Sequence, residues 1–316
     1  MRILITGGAG FIGSHLVEAL LADPRVSHVR VLDNLATGNR LNIEPFMNNP
    51  KFEFMWGDIR EYNTCFDACK DIDLITHQAA LGSVPRSIKQ PLTTNNVNIG
   101  GTLNIFTAAK DLGIKRVVYA ASSSTYGDSK ELPKKEEIIG SPISPYAVTK
   151  LVNELYAQVF AKLYAMEFIG LRYFNVFGPR QDPNGAYAAV IPLFFKAVQE
   201  NIAPTINGDG SQTRDFTYVA NAVEANKLAL FTTDANAVNQ VYNVACGEQT
   251  SLNELWDYIT AITGSSLQAK HGPGRLGDVQ HSLADISKIK QGLGFVPLVK
   301  IREGLEILAP EYAAMV

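Results

Sequence analysis

Arg2-Ile3-Leu4-Ile5-Thr6-Gly7-Gly8-Ala9-Gly10-Phe11-Ile12-Gly13 opens the chain and decides its fold. A short apolar run reads as a buried strand, and the glycines after it as a tight turn. Helical periodicity follows through Ile12, Leu16 and Leu20. Glycines let a backbone approach a pyrophosphate closely, because they lack Cβ and tolerate unusual φ. The helix that follows offers unpaired N–H groups and a positive dipole end to phosphates. Gly8-x-Gly10-x-x-Gly13 therefore satisfies the dinucleotide fingerprint in its expected strand–turn–helix context.

Twenty residues after Gly13 stands Asp33, at the end of a second apolar run over 28–33. A carboxylate there accepts bonds from the adenosine ribose hydroxyls and repels a 2′-phosphate, which favours NAD over NADP. Arg40 lies beyond the strand end and does not overturn that preference. The cofactor set is Gly7, Gly10, Phe11, Ile12, Gly13, Asp33 and Asn34, with Asp58 and Ile59 placed to meet the adenine edge.

Working outward, further strands are expected over 51–55, 73–77, 115–121 and 167–172. Helical stretches over 98–112 and 149–164 lie between them. In the second, Val148, Leu151, Val152, Leu155, Val159, Phe160 and Leu163 repeat at helical spacing. Alternating strand and helix predicts a Rossmann-like, doubly wound parallel sheet. After Phe174 the periodicity breaks at Pro179, Asp182-Pro183-Asn184-Gly185 and Asn207-Gly208-Asp209-Gly210. Residues 241–244 read as a strand returning to the first sheet. The expected organisation is a NAD-binding domain of residues 1–176 and about 218–246. About 177–217 and 247–316 form a smaller, discontinuous α/β substrate domain.

The 316 residues are 46% hydrophobic and 19% charged, ordinary for a globular protein. A net charge of −3 marks no nucleic-acid binder. The three cysteines, Cys65, Cys69 and Cys246, form no CxxC or Cys/His cluster, so neither a disulfide framework nor a metal site is expected. No apolar run approaches the ~20 residues of a membrane span. The strand begins at residue 2 with no signal segment before it, and the expected compartment is the cytoplasm.

Tyr146 and Lys150 share one face if Ser144-Pro145 starts a helix. A nearby ammonium favours tyrosinate, which predicts a Tyr146 hydroxyl below its reference pKa of ~10. The Ser122-Ser123-Ser124 run closes the fifth strand and offers a hydroxyl to the same substrate oxygen. Dinucleotide, serine, tyrosine and lysine together make a device for moving a proton and a hydride.

The chain resembles the extended short-chain dehydrogenase/reductases of the nucleotide-sugar epimerase group over nearly its full length. Gly7-x-x-Gly10-x-x-Gly13, Ser122-Ser123-Ser124-Thr125-Tyr126-Gly127, Pro145-Tyr146-Ala147-Val148-Thr149-Lys150 and Leu171-Arg172-Tyr173-Phe174-Asn175-Val176-Phe177-Gly178 carry the resemblance. Within the group it is most similar to UDP-N-acetylglucosamine 4-epimerases. The resemblance implies a catalytic serine at Ser122, with Ser123 adjacent and still open. Related dehydratases and decarboxylases carry a carboxylate in the region where this chain has Ser123-Ser124-Thr125, and this chain has none there, which leaves epimerisation. It implies that Asn175, Val190, Arg214, Arg275 and Asp278 hold the UDP, with Tyr187, Ala188, Ala189 and Ile191 around the uracil. Phe194-Phe195 reads as core. Ser282, where relatives restricted to unacetylated sugars carry an aromatic, opens room for an N-acetyl group; Gly82, Ser83 and Gln181 line the same pocket. It also implies a homodimer built through a four-helix bundle from the helices at 98–112 and 149–164. A UDP-glucuronate 4-epimerase, with Arg86 facing the carboxylate, stays open, as do UDP-Glc/UDP-Gal epimerisation and a non-catalytic NAD-binding regulator.

Overall fold

The apolar runs become strands and the periodic segments between them become helices. The structure, a computed structural model, describes residues 1–184, 188–274 and 280–313. In chain order the first part is β1 (Arg2–Thr6), α1 (Phe11–Leu21), β2 (His28–Asp33), β3 (Phe52–Trp56), α2 (Tyr62–Cys69) and β4 (Leu74–His77). Next come α3 (Val84–Lys89), α4 (Pro91–Asn95), α5 (Thr102–Asp111), β5 (Arg116–Ser122), α6 (Pro145–Tyr164) and β6 (Glu167–Tyr173). The remainder is β7 (Val176–Phe177), α7 (Val190–Gln199), β8 (Thr205–Asn207), β9 (Thr213–Arg214), β10 (Thr217–Tyr218) and α8 (Val219–Phe231). It ends with β11 (Gln240–Val244), β12 (Thr250–Ser251), α9 (Leu252–Thr263), β13 (Lys270–Gly272), α10 (Ser287–Leu293) and α11 (Ile301–Ala313).

Seven strands form one sheet in the order β3-β2-β1-β4-β5-β6-β11, all parallel. The strand expected over 241–244 does return to this sheet, beside β6. The order reverses between β1 and β4, and ligands of such sheets bind beyond the carboxyl ends at that switch point. Side chains alternate between two buried faces. Ile3 and Ile5 join one core with Val29, Val31, Ile169 and Leu171, while Leu4 joins the other with Leu32, Val117 and Phe168.

The helix expected over 98–112 splits. Residues Asn96–Gly101 wind as a π-helix and α5 begins only at Thr102. Asn98 is fully buried on the same face as Thr94, Thr102 and Ile105. The apolar stripe of α6 also divides. Ala157 and Phe160 pack into the core, whereas Val148, Leu155, Val159 and Leu163 are exposed.

The smaller region gathers a third core of Phe177, Phe194, Phe195, Trp256 and Leu305, under α7, α9 and α11. Its strands pair two by two, β7 with β10, β9 with β12 and β8 with β13. Among the described residues no helix is long and apolar enough to cross a membrane.

Candidate active site

The glycine turn is built by steric necessity. Gly7 adopts φ +71°, and a Cβ there would meet the Ala79 nitrogen at 2.7 Å. A Cβ on Gly13 would lie 2.1 Å from the Gly7 carbonyl oxygen, so α1 packs onto the turn only without a side chain. Gly10 caps α1 with no side chain over the helix end, which leaves the first-turn N–H groups, from Phe11 and Ile12 on, for an anion.

Asp33, at the end of β2, is nearly buried. It accepts from the Ala9 N–H at 3.0 Å and the Leu35 N–H at 2.8 Å. Burial raises its carboxyl above the usual range, and the two N–H bonds oppose this. Asp33, Asn34, Asp58 and Ile59 line one cavity of about 140 Å³ beside the turn. The Asp58 carboxylate is held down to about 2, first by the Arg60 guanidinium and further by Asn34. Its acceptor capacity is thus spent largely within the protein, and it steadies Asn34. A cavity with a buried carboxylate next to an uncapped helix end and a turn free of side chains fits the adenosine and pyrophosphate of NAD.

Tyr146 and Lys150 project from the first turns of α6. Ser144 starts this helix, its Oγ accepting from the Ala147 N–H at 3.1 Å, with Pro145 at the first position. The Tyr146 hydroxyl faces Ser122, the last residue of β5, whose side chain pulls the Tyr146 pKa down against burial. The Ser122 Oγ also accepts from the Ser124 hydroxyl at 2.9 Å. Ser123 begins the short 3-10 turn behind it. The lysine Nζ donates to the Ala120 carbonyl at 2.7 Å. Burial lowers the Lys150 pKa to about 8, Glu154 opposing. The expected depression of the Tyr146 pKa is not found. Burial raises it and Ser122 pulls it down, while the Lys150 ammonium is turned toward a backbone carbonyl.

Across the cleft, Asn175, Val190 and Arg214 line a second cavity of about 620 Å³ together with Ala188, Ala189 and Ile191. Asn175 holds φ +35° and donates to the Asp215 carbonyl at 3.0 Å. The Arg214 guanidinium donates to the Thr213 carbonyl at 2.8 Å. Phe194 and Phe195 are core. Ser282 is buried beside β9, its N–H donating to the Thr213 carbonyl. Gly82 is exposed, with open space where a Cβ would stand. Ser83 takes φ +101° and caps α3 through the Arg86 N–H. Gln181 and Arg86 line a third cavity with Phe11 and Arg180. Tyr187, Arg275 and Asp278 lie outside the described residues.

Two groups escaped the sequence reading. Asn98 binds both the N–H and the carbonyl of Leu81 and donates to the Thr149 hydroxyl, joining the Gly82–Ser83 loop to α6. His77 is buried between the hydroxyls of Thr6 and Thr102. Neither has a side-chain pattern that marks it in the sequence, since a buried asparagine and a surface one read alike.

The sequence profile of the NAD dependent epimerase/dehydratase family matches residues 3–245. A putative UDP-glucose 4-epimerase of Methanocaldococcus jannaschii is 40% identical over 306 residues, covering 96% of each chain. A UDP-N-acetylglucosamine 4-epimerase from Methanobrevibacter ruminantium M1, solved with UDP-N-acetylmuramic acid, superposes with TM-score 0.93 at 39% identity. It covers 100% of this chain and 99% of the other. A UDP-glucuronic acid 4-epimerase from Bacillus cereus, solved with UDP-glucuronic acid and NAD, superposes with TM-score 0.92 at 32% identity, covering 100% of both chains.

Proposed function

The chain belongs to the NAD-dependent epimerase/dehydratase family, and from that premise we propose that it interconverts UDP-GlcNAc and UDP-GalNAc by inversion at the sugar C4. It is an NAD-dependent UDP-hexose epimerase of the extended short-chain dehydrogenase type. The preference for the acetylated sugar, the residue roles and the domain division at about 177 belong to this proposal. The observation that carries it is the Ser122–Tyr146 hydroxyl pair, backed by Lys150, beside a dinucleotide turn and a cleft of nucleotide size.

NAD, when bound, supplies the chemistry of taking a hydride from C4 and returning it on the opposite face. Tyr146 accepts the proton of the C4 hydroxyl and gives it back. Ser122 donates to the same oxygen and holds it while its charge changes. Lys150, an ammonium below about pH 8, holds the Ala120 carbonyl on the strand that carries Ser122. Asn175 and Arg214 grip the diphosphate, with Arg275 and Asp278 as further partners, so the 4-keto hexose turns about a fixed anchor. The small Ser282, with Gly82, Ser83 and Gln181, leaves room for the acetamido group.

A UDP-glucuronate substrate is the second reading, favoured by Arg86 in the cavity beside Gln181. The exposed apolar residues of α6, with Leu92 of α4 79% exposed, support a homodimer through a four-helix bundle. The buried free thiols of Cys65 and Cys69 suit a reducing cytoplasm.

The deciding experiment incubates purified protein, without added NAD, with UDP-GlcNAc, UDP-Glc and UDP-GlcA in parallel, and identifies products by anion exchange and NMR. Conversion of UDP-GlcNAc faster than UDP-Glc is expected. Conversion of UDP-GlcA alone replaces the substrate, and no conversion even with NAD added overturns the reading.

A further inference from the structure

Asp215 lies between β9 and β10 with no exposed surface. Its carboxylate accepts from the N–H groups of Cys246 at 3.0 Å, Gly247 at 3.0 Å and Ala284 at 3.1 Å. Its own backbone carbonyl accepts from the Asn175 side chain. Four separate stretches of chain therefore meet on one residue. One follows β6 and carries Asn175; one is β9, with Arg214 next to Asp215; one leaves the large sheet after β11; and one is the 280–284 segment with Ser282.

Neighbouring pairings converge on the same point. Thr213 bonds Gln280 and Ser282 through the backbone, β9 pairs with β12, and β10 pairs with β7 just after Asn175. A buried carboxylate is expensive unless donors surround it. Burial pushes this one up to about 7 against the N–H bonds. A neutral amide of similar shape would fill the space without that cost, but its single oxygen cannot accept from three N–H donors spread over both carboxylate oxygens.

We infer that Asp215 is a positioning residue: its carboxylate fastens the segments bearing Asn175, Arg214 and Ser282 into one clamp for the nucleotide sugar. It touches neither substrate nor cofactor and acts through those three residues. The inference rests on the UDP-sugar reading above and adds to it the residue that holds the clamp together. The glycine turn and Asp33 lie on other elements, so the cofactor site does not depend on it.

The test compares wild type, Asp215→Asn and Asp215→Glu by UDP titration calorimetry, NAD content, circular dichroism and steady-state kinetics. The amide turns an NH2 toward N–H groups and loses the convergence. UDP affinity is expected to fall at least ~10-fold, with KM for the sugar nucleotide rising in step, kcat within ~3-fold and NAD content unchanged. The double variant Arg214→Ala/Asp215→Asn is expected to bind UDP little worse than Arg214→Ala alone, because one change acts through the other. A folded Asp215→Asn with wild-type UDP affinity, or strict additivity in the double variant, overturns the inference. If Asp215→Asn does not fold, Asp215→Glu carries the same expectation; failure of both to fold assigns Asp215 to the fold and overturns it. A wild-type protein that binds no UDP removes the UDP-sugar reading itself, and this inference with it.

Discussion

The Lys150 ammonium lies 5.9 Å from the centre of the Tyr146 ring while donating to the Ala120 carbonyl. At that distance the lysine is not a hydrogen-bond partner of the tyrosine, whose hydroxyl faces Ser122. In the proposed function the hydroxyl of Tyr146 carries the proton. Tyr146→Phe is expected to lower kcat by ~10²–10⁴-fold, the usual worth of a general acid–base. UDP and NAD binding should stay within a few-fold of wild type by calorimetry, since the ring and its packing are kept.

Gly13→Ala tests the glycine turn. Its Cβ would stand 2.1 Å from the Gly7 carbonyl oxygen, with backbone on both sides and no flexible side chain to yield. Relieving the clash means lifting α1 off the turn. The expected loss is about 1–3 kcal/mol or more, the range for overpacking a tight site. NAD content of the purified variant should fall with it. A variant of wild-type stability and full NAD content would show that the turn has slack.

Both of these sites could be placed from the sequence, and other parts of the molecule could not. The glycine turn, Asp33 and the Tyr146/Lys150 pair were legible because each depends on local spacing: strand, turn, one helical face. The sheet was legible for the same reason, since β1 and β2 are unbroken apolar runs. What was not legible depends on contacts between distant segments. Asn98 sits on the buried face of its helix with Thr94, Thr102 and Ile105, but a polar residue there does not announce that it bonds the distant Leu81 and Thr149. The direction of the Tyr146 shift required knowing where the Lys150 ammonium points. The split of the α6 stripe required knowing which side the sheet occupies.

Ser282 controls the room for the acetamido group in the proposed function. Ser282→Tyr fills a position that is 8% exposed and backed by β9. The expected outcome is a ~10–200-fold loss in kcat/KM for UDP-GlcNAc, the range for steric discrimination in a pocket. UDP-Glc should lose only a few-fold. Equal losses for both sugars would place Ser282 in packing rather than in selection.

His77 sets an acid dependence of stability. Burial holds its pKa down to about 3, with the Lys150 charge adding to the effect. The Thr102 hydroxyl donates to the Asn98 carbonyl, so it accepts from His77 Nε2–H, and Nδ1 accepts from Thr6. The folded ring is neutral down to about pH 3, while the unfolded ring takes a proton near pH 6.5. Between those values the unfolded chain binds the extra proton, so stability falls as pH drops through the window and is complete above it. One proton gives a slope of at most ~1.4 kcal/mol per pH unit. Urea unfolding of His77→Gln should show lower stability at pH 7 and a slope between pH 6 and 4 shallower by about one proton. An unchanged slope would mean that the ring charges in the folded protein.

Arg172 and Glu154 form a bidentate pair at 2.9 and 2.8 Å, with both side chains only 4% exposed. Removing one partner leaves a buried charge, so Glu154→Gln is expected to cost ~3–5 kcal/mol by urea unfolding. Replacing both with methionine should cost much less than the sum of the single changes, because the desolvation of two charges is relieved together. The pair also reaches the active site. Glu154 stands one helical turn beyond Lys150 and raises its pKa against the lowering by burial. Without that carboxylate the lysine loses its proton at lower pH. If the ammonium supports Tyr146, activity falls as pH rises through the Lys150 pKa, and in Glu154→Gln this alkaline limb moves below the wild-type position near pH 8. A pH–rate profile of folded variant and wild type reads the shift. An unmoved limb would separate the buried pair from catalysis and leave it to hold α6 on β6.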